Sequence, residues 1–263
     1  MERNIIIALL ALVAIVVQAQ TKVVLHMAGN KTFECSVSQL DSITFEDDGF
    51  IIVDEHEWVD LGLPSGTLWA TCNVGANSPE EYGDYFAWGE TKPKEEYGWK
   101  TYTHCEGDHN VLTKYCIASS YGYNGFTDGL TELLPEDDAA TANWGSGWQM
   151  PSLDQLSELI NSTYTIRTLT EQNGVKGLQI KSRTNGESVF LPEAGFVQGR
   201  NPHAGFSGYY WSRSLGTRGY TDEGGFLSFY GYGSDDDSSN YIGTSCSVRY
   251  TGHSIRPVRV KTR

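Results

Sequence analysis

The residues best suited to binding or chemistry lie near the end of the chain, between Tyr230 and Tyr250. This stretch places tyrosines and three consecutive aspartates among Gly, Ser and Asn. Tyrosine offers rigid contact area at low entropic cost, and small polar residues add adaptable hydrogen bonds. The composition therefore predicts contact with a ligand rather than covalent chemistry. The candidate ligand-binding residues are Tyr209, Tyr210, Arg213, Tyr230, Tyr232, Asp235, Asp236, Asp237, Tyr241, Arg249 and Tyr250.

Two other interpretations of the same stretch stay open. A solvated surface loop with exposed tyrosines is the simpler one, because connecting segments run over protein surfaces. Calcium is the other, since Asp235, Asp236 and Asp237 offer the hard oxygen ligands that Ca²⁺ prefers. Adjacent acidic side chains point in different directions, however, and a calcium site needs about six to eight ligands. We therefore assign no metal ligands, and calcium stays an alternative.

The other reactive side chains form no pattern typical of an enzyme. His104, Cys105, His109 and Cys116 are close in sequence, but their spacing matches no common zinc motif. The acidic run 136–138 fits a helix N-terminus, where the helix dipole favours negative charge. No phosphate loop, nucleophile elbow or H-E-x-x-H motif occurs in the chain. The sequence predicts no catalytic residues and no cofactor.

The chain contains 5 cysteines, of which Cys105 and Cys116 are the nearest pair. These two form a possible disulfide, because an exported protein can hold disulfides. Free buried thiols are an equally good interpretation, since a chain of this length can bury a core without bridges. The spacing alone does not determine the pairing.

The start of the chain has the features of a secretory signal peptide. An apolar run covers 5–17, and Ala19 follows at an A-x-A-like exit. The run is shorter than the roughly 20 residues of a membrane span. We predict a signal peptide over 1–19, a small β-hairpin unit and linker over 20–53, and one larger domain over 54–263. No transmembrane segment is expected after signal removal. The signal peptide therefore predicts a protein that is secreted or displayed on the cell surface.

The net charge of −14 argues against nucleic acid as a partner, because binding to nucleic acid depends on basic patches.

Hydrophobic periodicity and turn residues predict two helices, which begin at Pro135 and Ser152. Ser152 with Gln155 forms a capping box. The region 91–130 is predicted to be a long insertion or loop. The predicted strands lie at 22–27, 32–37, 41–45, on both sides of a Gly/Pro turn within 58–70, and at 177–180, 188–192, 208–212, 225–229 and 254–260.

Seven motifs occur in order between Trp58 and Val260: WVDLGLPSGTLWATCNVGA, YGDYFAWGET, DDAATANWGSGWQMPSLDQLSEL, VFLPEAGF, GYYWSRS, FLSF and HSIRPVR. Together they resemble the major paralogous domain family first named from Fibrobacter succinogenes, which is common in exported proteins of gut bacteria. The resemblance implies a C-type-lectin-like α+β fold. That fold has two helices packed on a small twisted antiparallel sheet with long loops, here preceded by the short N-terminal β unit. Core positions are expected for Trp58, Trp69, Trp88, Trp144 and Trp148.

The composition and the resemblance together predict a secreted or cell-surface, non-catalytic binding module. Its ligand would be a glycan or a protein, recognised through the aromatic and acidic C-terminal loop. One alternative is a structural adhesin or pilus-type subunit, with strand addition through 22–45. The least supported alternative is an enzyme similar to formylglycine-generating enzymes, whose C-terminal cysteine pair is reduced here to Cys246. The layout also resembles variable proteins of diversity-generating retroelements, so programmed variation over 235–250 stays open.

Overall fold

A computed structural model describes residues 22–27, 31–36, 56–216, 219–231 and 240–260. The chain divides into two compact units, Met1–Val53 and Asp54–Arg263. In the smaller unit, strands β1 (Lys22–Met27) and β2 (Lys31–Ser36) pair antiparallel. This pairing confirms the predicted hairpin. The strand predicted over 41–45 lies outside the described residues.

The described part of the larger unit is built from short strands and two short helices. The strands are β3 (Trp58–Asp60), β4 (Thr67–Ala70), β5 (Thr165–Gln172), β6 (Val175–Ser182), β7 (Ser188–Pro192), β8 (Phe196–Gln198), β9 (Asn201–Pro202), β10 (Gly208–Leu215), β11 (Glu223–Tyr230), β12 (Tyr241–Val248), β13 (Gly252–His253) and β14 (Val258–Val260). The helices are α1 (Ala139–Trp144) and α2 (Leu153–Leu159), with single 3-10 turns at Trp99–Thr101, Tyr123–Gly125 and Pro135–Asp137.

These strands form four small antiparallel sheets, ordered β14-β4-β3, β5-β6-β7, β13-β8-β9 and β10-β11-β12. The predicted α+β, C-type-lectin-like fold is therefore wrong, because strands account for 37% of the structure and helices for only 11%. The physical reason is helix length. Helices α1 and α2 have 6 and 7 residues, less than two turns each, and helices this short cannot cover a sheet face. Buried residues from different sheets instead pack together in shared hydrophobic cores.

The largest core joins three of the sheets to helix α2. Trp69 of β4, Leu178 of β6 and Tyr210 of β10 are buried in it, together with Leu159 of α2. A second core surrounds Trp88 on the other side of β10 and β11. Because both faces of the β10-β11-β12 sheet contact buried residues, this sheet holds the larger unit together.

The predicted tryptophan positions are confirmed in part. Trp69, Trp88 and Trp148 are buried, as expected for core tryptophans. Trp144 is half-buried, and its ring stacks on the ring of His56 at a centroid distance of 3.6 Å. The prediction is wrong for Trp58, which is 47% exposed on strand β3.

Helix α1 begins later than predicted. Pro135 starts a 3-10 turn, and the α-helix begins only after Asp138, whose carboxylate caps it by accepting a hydrogen bond from Thr141 N at 3.0 Å. The same carboxylate accepts from Met150 N, at 3.0 Å through Oδ1 and 2.8 Å through Oδ2. Burial raises the pKa of Asp138 above its usual range. Asp138 thus joins the helix to the segment that leads into α2.

Replacing Asp138 with alanine is expected to lower the free energy of unfolding by about 3 kcal/mol. The variant loses a helix cap and leaves the buried Met150 N–H without its acceptor. Urea unfolding monitored by tryptophan fluorescence measures the loss. Asp138→Asn keeps an acceptor oxygen and should lose less than about 1 kcal/mol, and exposed Asp154→Ala should change stability by less than about 0.5 kcal/mol. Equal losses for the two Asp138 variants would contradict this assignment.

The predicted start of helix α2 and its predicted capping box are both confirmed. Ser152 Oγ accepts from Gln155 N at 3.1 Å, and Gln155 Oε1 accepts from Ser152 N at 2.8 Å. Leu156 and Leu159 are buried on one face, as helical spacing predicts. The region 91–130 is mostly irregular, as expected for the predicted long insertion or loop, and Tyr102 and Tyr115 are among its buried residues.

Candidate ligand-binding site

The predicted site residues Tyr209 and Tyr210 lie next to each other on strand β10, so their side chains point to opposite faces of the sheet. Tyr210 faces the largest core, where it is fully buried and its hydroxyl donates to Pro192 O at 2.7 Å. The prediction that Tyr210 binds ligand is therefore wrong, because no ligand can reach it. Tyr209 faces the opposite side and is half-buried.

Strands β11 and β12 bring two more predicted tyrosines to the face of Tyr209. The register pairs Tyr209 with Ser228, and it pairs Tyr230 with Tyr241. The rings of Tyr230 and Tyr241 stack with centroids 5.2 Å apart and planes 19° apart. We name Tyr209, Tyr230 and Tyr241 the tyrosine surface. Burial raises the pKa of the Tyr209 phenol, and the other two tyrosines raise it further, which indicates that the three phenols lie near one another.

Glycine shapes the surface beside Tyr241. A Cβ atom at Gly243 would lie 2.7 Å from the Tyr241 hydroxyl, so the Tyr241 side chain leans along its own strand across the space above Gly243. Tyr241 nevertheless keeps 38% of its surface exposed. The absence of a side chain at position 243 lets the phenol lie close to the sheet while its outer edge stays open to a ligand.

Aromatic rings support Tyr209 from the protein interior. Its centroid lies 5.1 Å from Phe196, 5.4 Å from Phe226 and 5.3 Å from His253. Such ring contacts restrict the side chain to one position. The Tyr209 ring is therefore held in place by its neighbours, so a contact made with it would carry little entropic cost.

Two predicted arginines serve the fold instead of the site. Arg213 pairs with Glu132 at 3.0 Å and donates to Met150 O at 3.1 Å. Arg249 is buried beside the Trp88 ring, 4.8 Å from its centroid, and donates to backbone oxygens of Lys114 and Tyr115. Burial lowers the pKa of Arg249. The ligand-binding prediction is wrong for Arg249, and Arg213 already has protein partners.

The other predicted site residues fall into two groups. Tyr250 is half-buried elsewhere, with its ring edge-on to Trp99 at 5.1 Å and its hydroxyl accepting from Gln198 Nε2 at 2.9 Å. It belongs to a different aromatic cluster from the tyrosine surface. Tyr232, Asp235, Asp236 and Asp237 lie outside the described residues.

The possible disulfide between Cys105 and Cys116 is not formed in this structure, where both thiols are free. Each thiol instead donates to a backbone oxygen, Cys105 Sγ to Trp99 O and Cys116 Sγ to Ala118 O, both at 3.2 Å. Burial raises the pKa of Cys105, which keeps this thiol protonated and weakly reactive.

No family model matches this chain, and the same holds for the curated proteins and the solved structures with which it was compared. The resemblance to the major paralogous domain family therefore stays a prediction. Within the described ranges, no three His, Cys, Asp or Glu side chains are grouped so that they could hold a metal ion. In the same part of the chain, no helix has the length and apolar character needed to cross a membrane.

One exposed aromatic residue was missed by the sequence reasoning. Phe206 is 82% exposed and lies between Gly205 and Ser207, three residues before Tyr209. An apolar ring between small residues just before a predicted strand is the signal that could have identified it. Phe206 adds exposed apolar area just before the start of strand β10.

Proposed function

We propose that this protein is a non-catalytic binding module, secreted or displayed on the cell surface, that recognises a glycan or protein ligand through the tyrosine surface. The observation that carries the proposal is the clustering of Tyr209, Tyr230 and Tyr241 on one sheet face. Tyrosine is enriched where proteins bind proteins, because its ring adds contact area and its hydroxyl adds a hydrogen bond. The three tyrosines come from three different strands, so the sheet holds them in place.

The ring geometry favours a protein over a glycan at this surface. A sugar stacks on an open aromatic face, but Tyr230 and Tyr241 turn one face toward each other. Tyr241 also leans over Gly243 with its hydroxyl end nearest to the sheet, so its exposed area is mainly ring. A surface of partly exposed tyrosine rings suits the mixed polar and apolar groups of a protein.

Replacing Tyr241 with alanine is expected to weaken binding to the cognate ligand by about thirtyfold, the effect of losing about 2 kcal/mol at a binding hot spot. The ligand is first identified by screening the protein on arrays of extracellular proteins and glycans, and affinities are then measured by surface plasmon resonance. Tyr123→Ala is the matched control, because Tyr123 is also exposed but lies in a separate 3-10 turn.

Three outcomes would contradict the proposal. Binding unchanged by Tyr241→Ala and by Tyr209→Ala would exclude the tyrosine surface as the site. Turnover of a retained ligand would make the protein an enzyme. Self-association of the purified protein into polymers, without retention of any ligand, would favour the structural alternative, an adhesin or pilus-type subunit.

A further inference from the structure

A polar cleft lies outside the tyrosine surface and shares no residue with it. Its volume is about 340 Å³. One wall is the segment 89–94, a second is formed by residues between Thr101 and His104, and Asp137 of the 3-10 turn before α1 completes it. The lining residues are Gly89, Glu90, Thr91, Lys92, Pro93, Lys94, Thr101, Thr103, His104 and Asp137.

Each carboxylate of the cleft wall already has an ammonium partner. Glu90 pairs with Lys94 at 2.7 Å and accepts from Thr103 N at 2.8 Å. Asp137 Oδ2 pairs with Lys114 at 2.5 Å and accepts from the Tyr115 hydroxyl. Counted over the lining, two carboxylates (Glu90 and Asp137) face two ammonium groups (Lys92 and Lys94), so the formal charges cancel and a charged ligand gains no net attraction.

Besides the exposed ammonium group of Lys92, three polar groups of the lining are left without partners among the described residues. The first is Asp137 Oδ1, which lies 3.9 Å from His104 Nε2, beyond hydrogen-bond length. The second is His104 Nδ1, since Nε2 is the ring nitrogen that donates to Gly89 O, at 2.8 Å. The third is the hydroxyl of Thr91. The Asp137 and His104 side chains are only 13% and 11% exposed, which limits how well water can satisfy them.

The unpartnered groups define the chemistry of a ligand. A carboxylate oxygen and a neutral imidazole nitrogen accept hydrogen bonds, whereas a threonine hydroxyl both donates and accepts. A hydroxyl group on a ligand matches all three, because it too donates and accepts. Volumes of ligand sites are about 300–1,000 Å³, so this cleft is at the small end of the range.

We propose that this cleft is a binding site for one neutral sugar residue. Asp137 Oδ1 and His104 Nδ1 accept hydrogen bonds from sugar hydroxyls, and the Thr91 hydroxyl bonds to a third. Lys114 and Tyr115 hold Asp137 through its other oxygen, so Asp137 does not have to move when the sugar binds. The site is independent of the protein ligand favoured at the tyrosine surface.

Isothermal titration calorimetry of the full chain with the methyl glycosides of glucose, galactose and mannose, and with N-acetylglucosamine, tests this proposal. At least one probe is expected to bind with one-to-one stoichiometry. Glucosamine and glucuronate, the cationic and anionic analogues, should bind at least about threefold more weakly, because neither gains net attraction from the paired charges. No binding of any neutral probe, or a preference for a charged one, would overturn the proposal.

Two variants locate the binding in the cleft. Asp137→Asn replaces the acceptor at Oδ1 with a donor and should weaken binding by about tenfold or more. Thr91→Val removes a hydroxyl that has no partner in the protein, so the fold is kept, and it should weaken binding by about threefold. The Thr91→Val result decides the matter if Asp137→Asn fails to fold.

Matched controls separate the cleft from the rest of the surface. Asp108→Asn changes an exposed aspartate that also pairs with a histidine, and Thr170→Val changes an exposed strand threonine. Both controls, and Tyr241→Ala, should bind the probe as the unmodified protein does. Equal weakening in a control and in Thr91→Val would overturn the proposal, whereas weakening by Tyr241→Ala alone would place sugar binding at the tyrosine surface.

Discussion

Replacing Gly195 with alanine is expected to lower the free energy of unfolding by more than about 4 kcal/mol, among the largest effects of a single substitution. A Cβ atom at this position would lie 1.8 Å from His203 O and 2.8 Å from Ala204 Cα. Both are backbone atoms, so no side-chain rotation relieves the overlap. The backbone φ of +69° is also unfavourable for alanine. Chemical unfolding measured by tryptophan fluorescence gives the loss.

Gly174→Ala is the matched control for this substitution. Gly174 has a φ of +84°, but no atom lies within 4 Å of its added Cβ. Its replacement measures the cost of the left-handed backbone alone, about 1 kcal/mol. A Gly195→Ala loss as small as that of Gly174→Ala would show that the segment 203–204 can move away, contrary to our expectation.

The second large effect concerns acid stability, which is expected to depend on His253. This side chain is buried, stacks on Trp211 at a centroid distance of 3.9 Å, and has no hydrogen-bond partner for Nδ1. Burial lowers the pKa of His253 from 6.5 to about 3. Below pH 6.5 the unfolded chain therefore binds a proton that the folded protein does not, so stability falls as pH falls toward 3, by about 1.4 kcal/mol per pH unit.

His253→Phe should remove this dependence while it keeps the aromatic stack on Trp211. The quantity to measure is the difference in unfolding free energy between the variant and the unmodified protein at pH 7, 6, 5 and 4, because the raised pKa values of buried Asp138 and Glu193 act in the opposite direction in both proteins. The difference should shift in favour of the variant by about 3 kcal/mol between pH 7 and pH 4. A difference that stays constant from pH 7 to pH 4 would contradict the assignment.

Local features such as helix starts and single strands were predicted correctly, because residues that are close in sequence determine them. The capping box of Ser152 and Gln155 needs only the residues of one helical turn, and helix α2 begins where that pattern predicts. Strand β7 at Ser188–Pro192 was predicted to the residue from its apolar run and the proline that ends it. The number of sheets and the pairing of their strands could not be predicted in this way. Strand β14 pairs with β4, for example, and these strands lie at opposite ends of the larger unit in sequence.

Strand β12 shows where composition misleads. The stretch Tyr241–Val248 is rich in Gly, Ser and Thr, so it was predicted to be part of a ligand-binding loop. It is a strand because β11 offers it a complete ladder of backbone partners, from Glu223 paired with Val248 to Tyr230 paired with Tyr241. Backbone pairing with a neighbouring strand outweighed weak side-chain propensity, which sequence alone does not reveal.

The sequence predicted a tyrosine-rich binding surface, but it predicted only some of the residues that form the candidate site. The sequence identified Tyr209, Tyr230 and Tyr241, which the sheet brings together. It could not tell which of Tyr209 and Tyr210 faces solvent, because alternation along a strand assigns opposite faces without saying which face is covered. Burial of Arg249 beside Trp88 was equally hidden, since the two residues are far apart in sequence.

The register of strands β11 and β12 has a practical consequence for protein engineering. Pairing continues up to Tyr230 and Tyr241, so the two ends of the intervening segment are anchored at adjacent positions. Lengthening a segment whose ends are already held together costs little free energy. Foreign peptides inserted between these two anchors should therefore be tolerated, which makes the hairpin a scaffold on which randomised libraries can be displayed and selected.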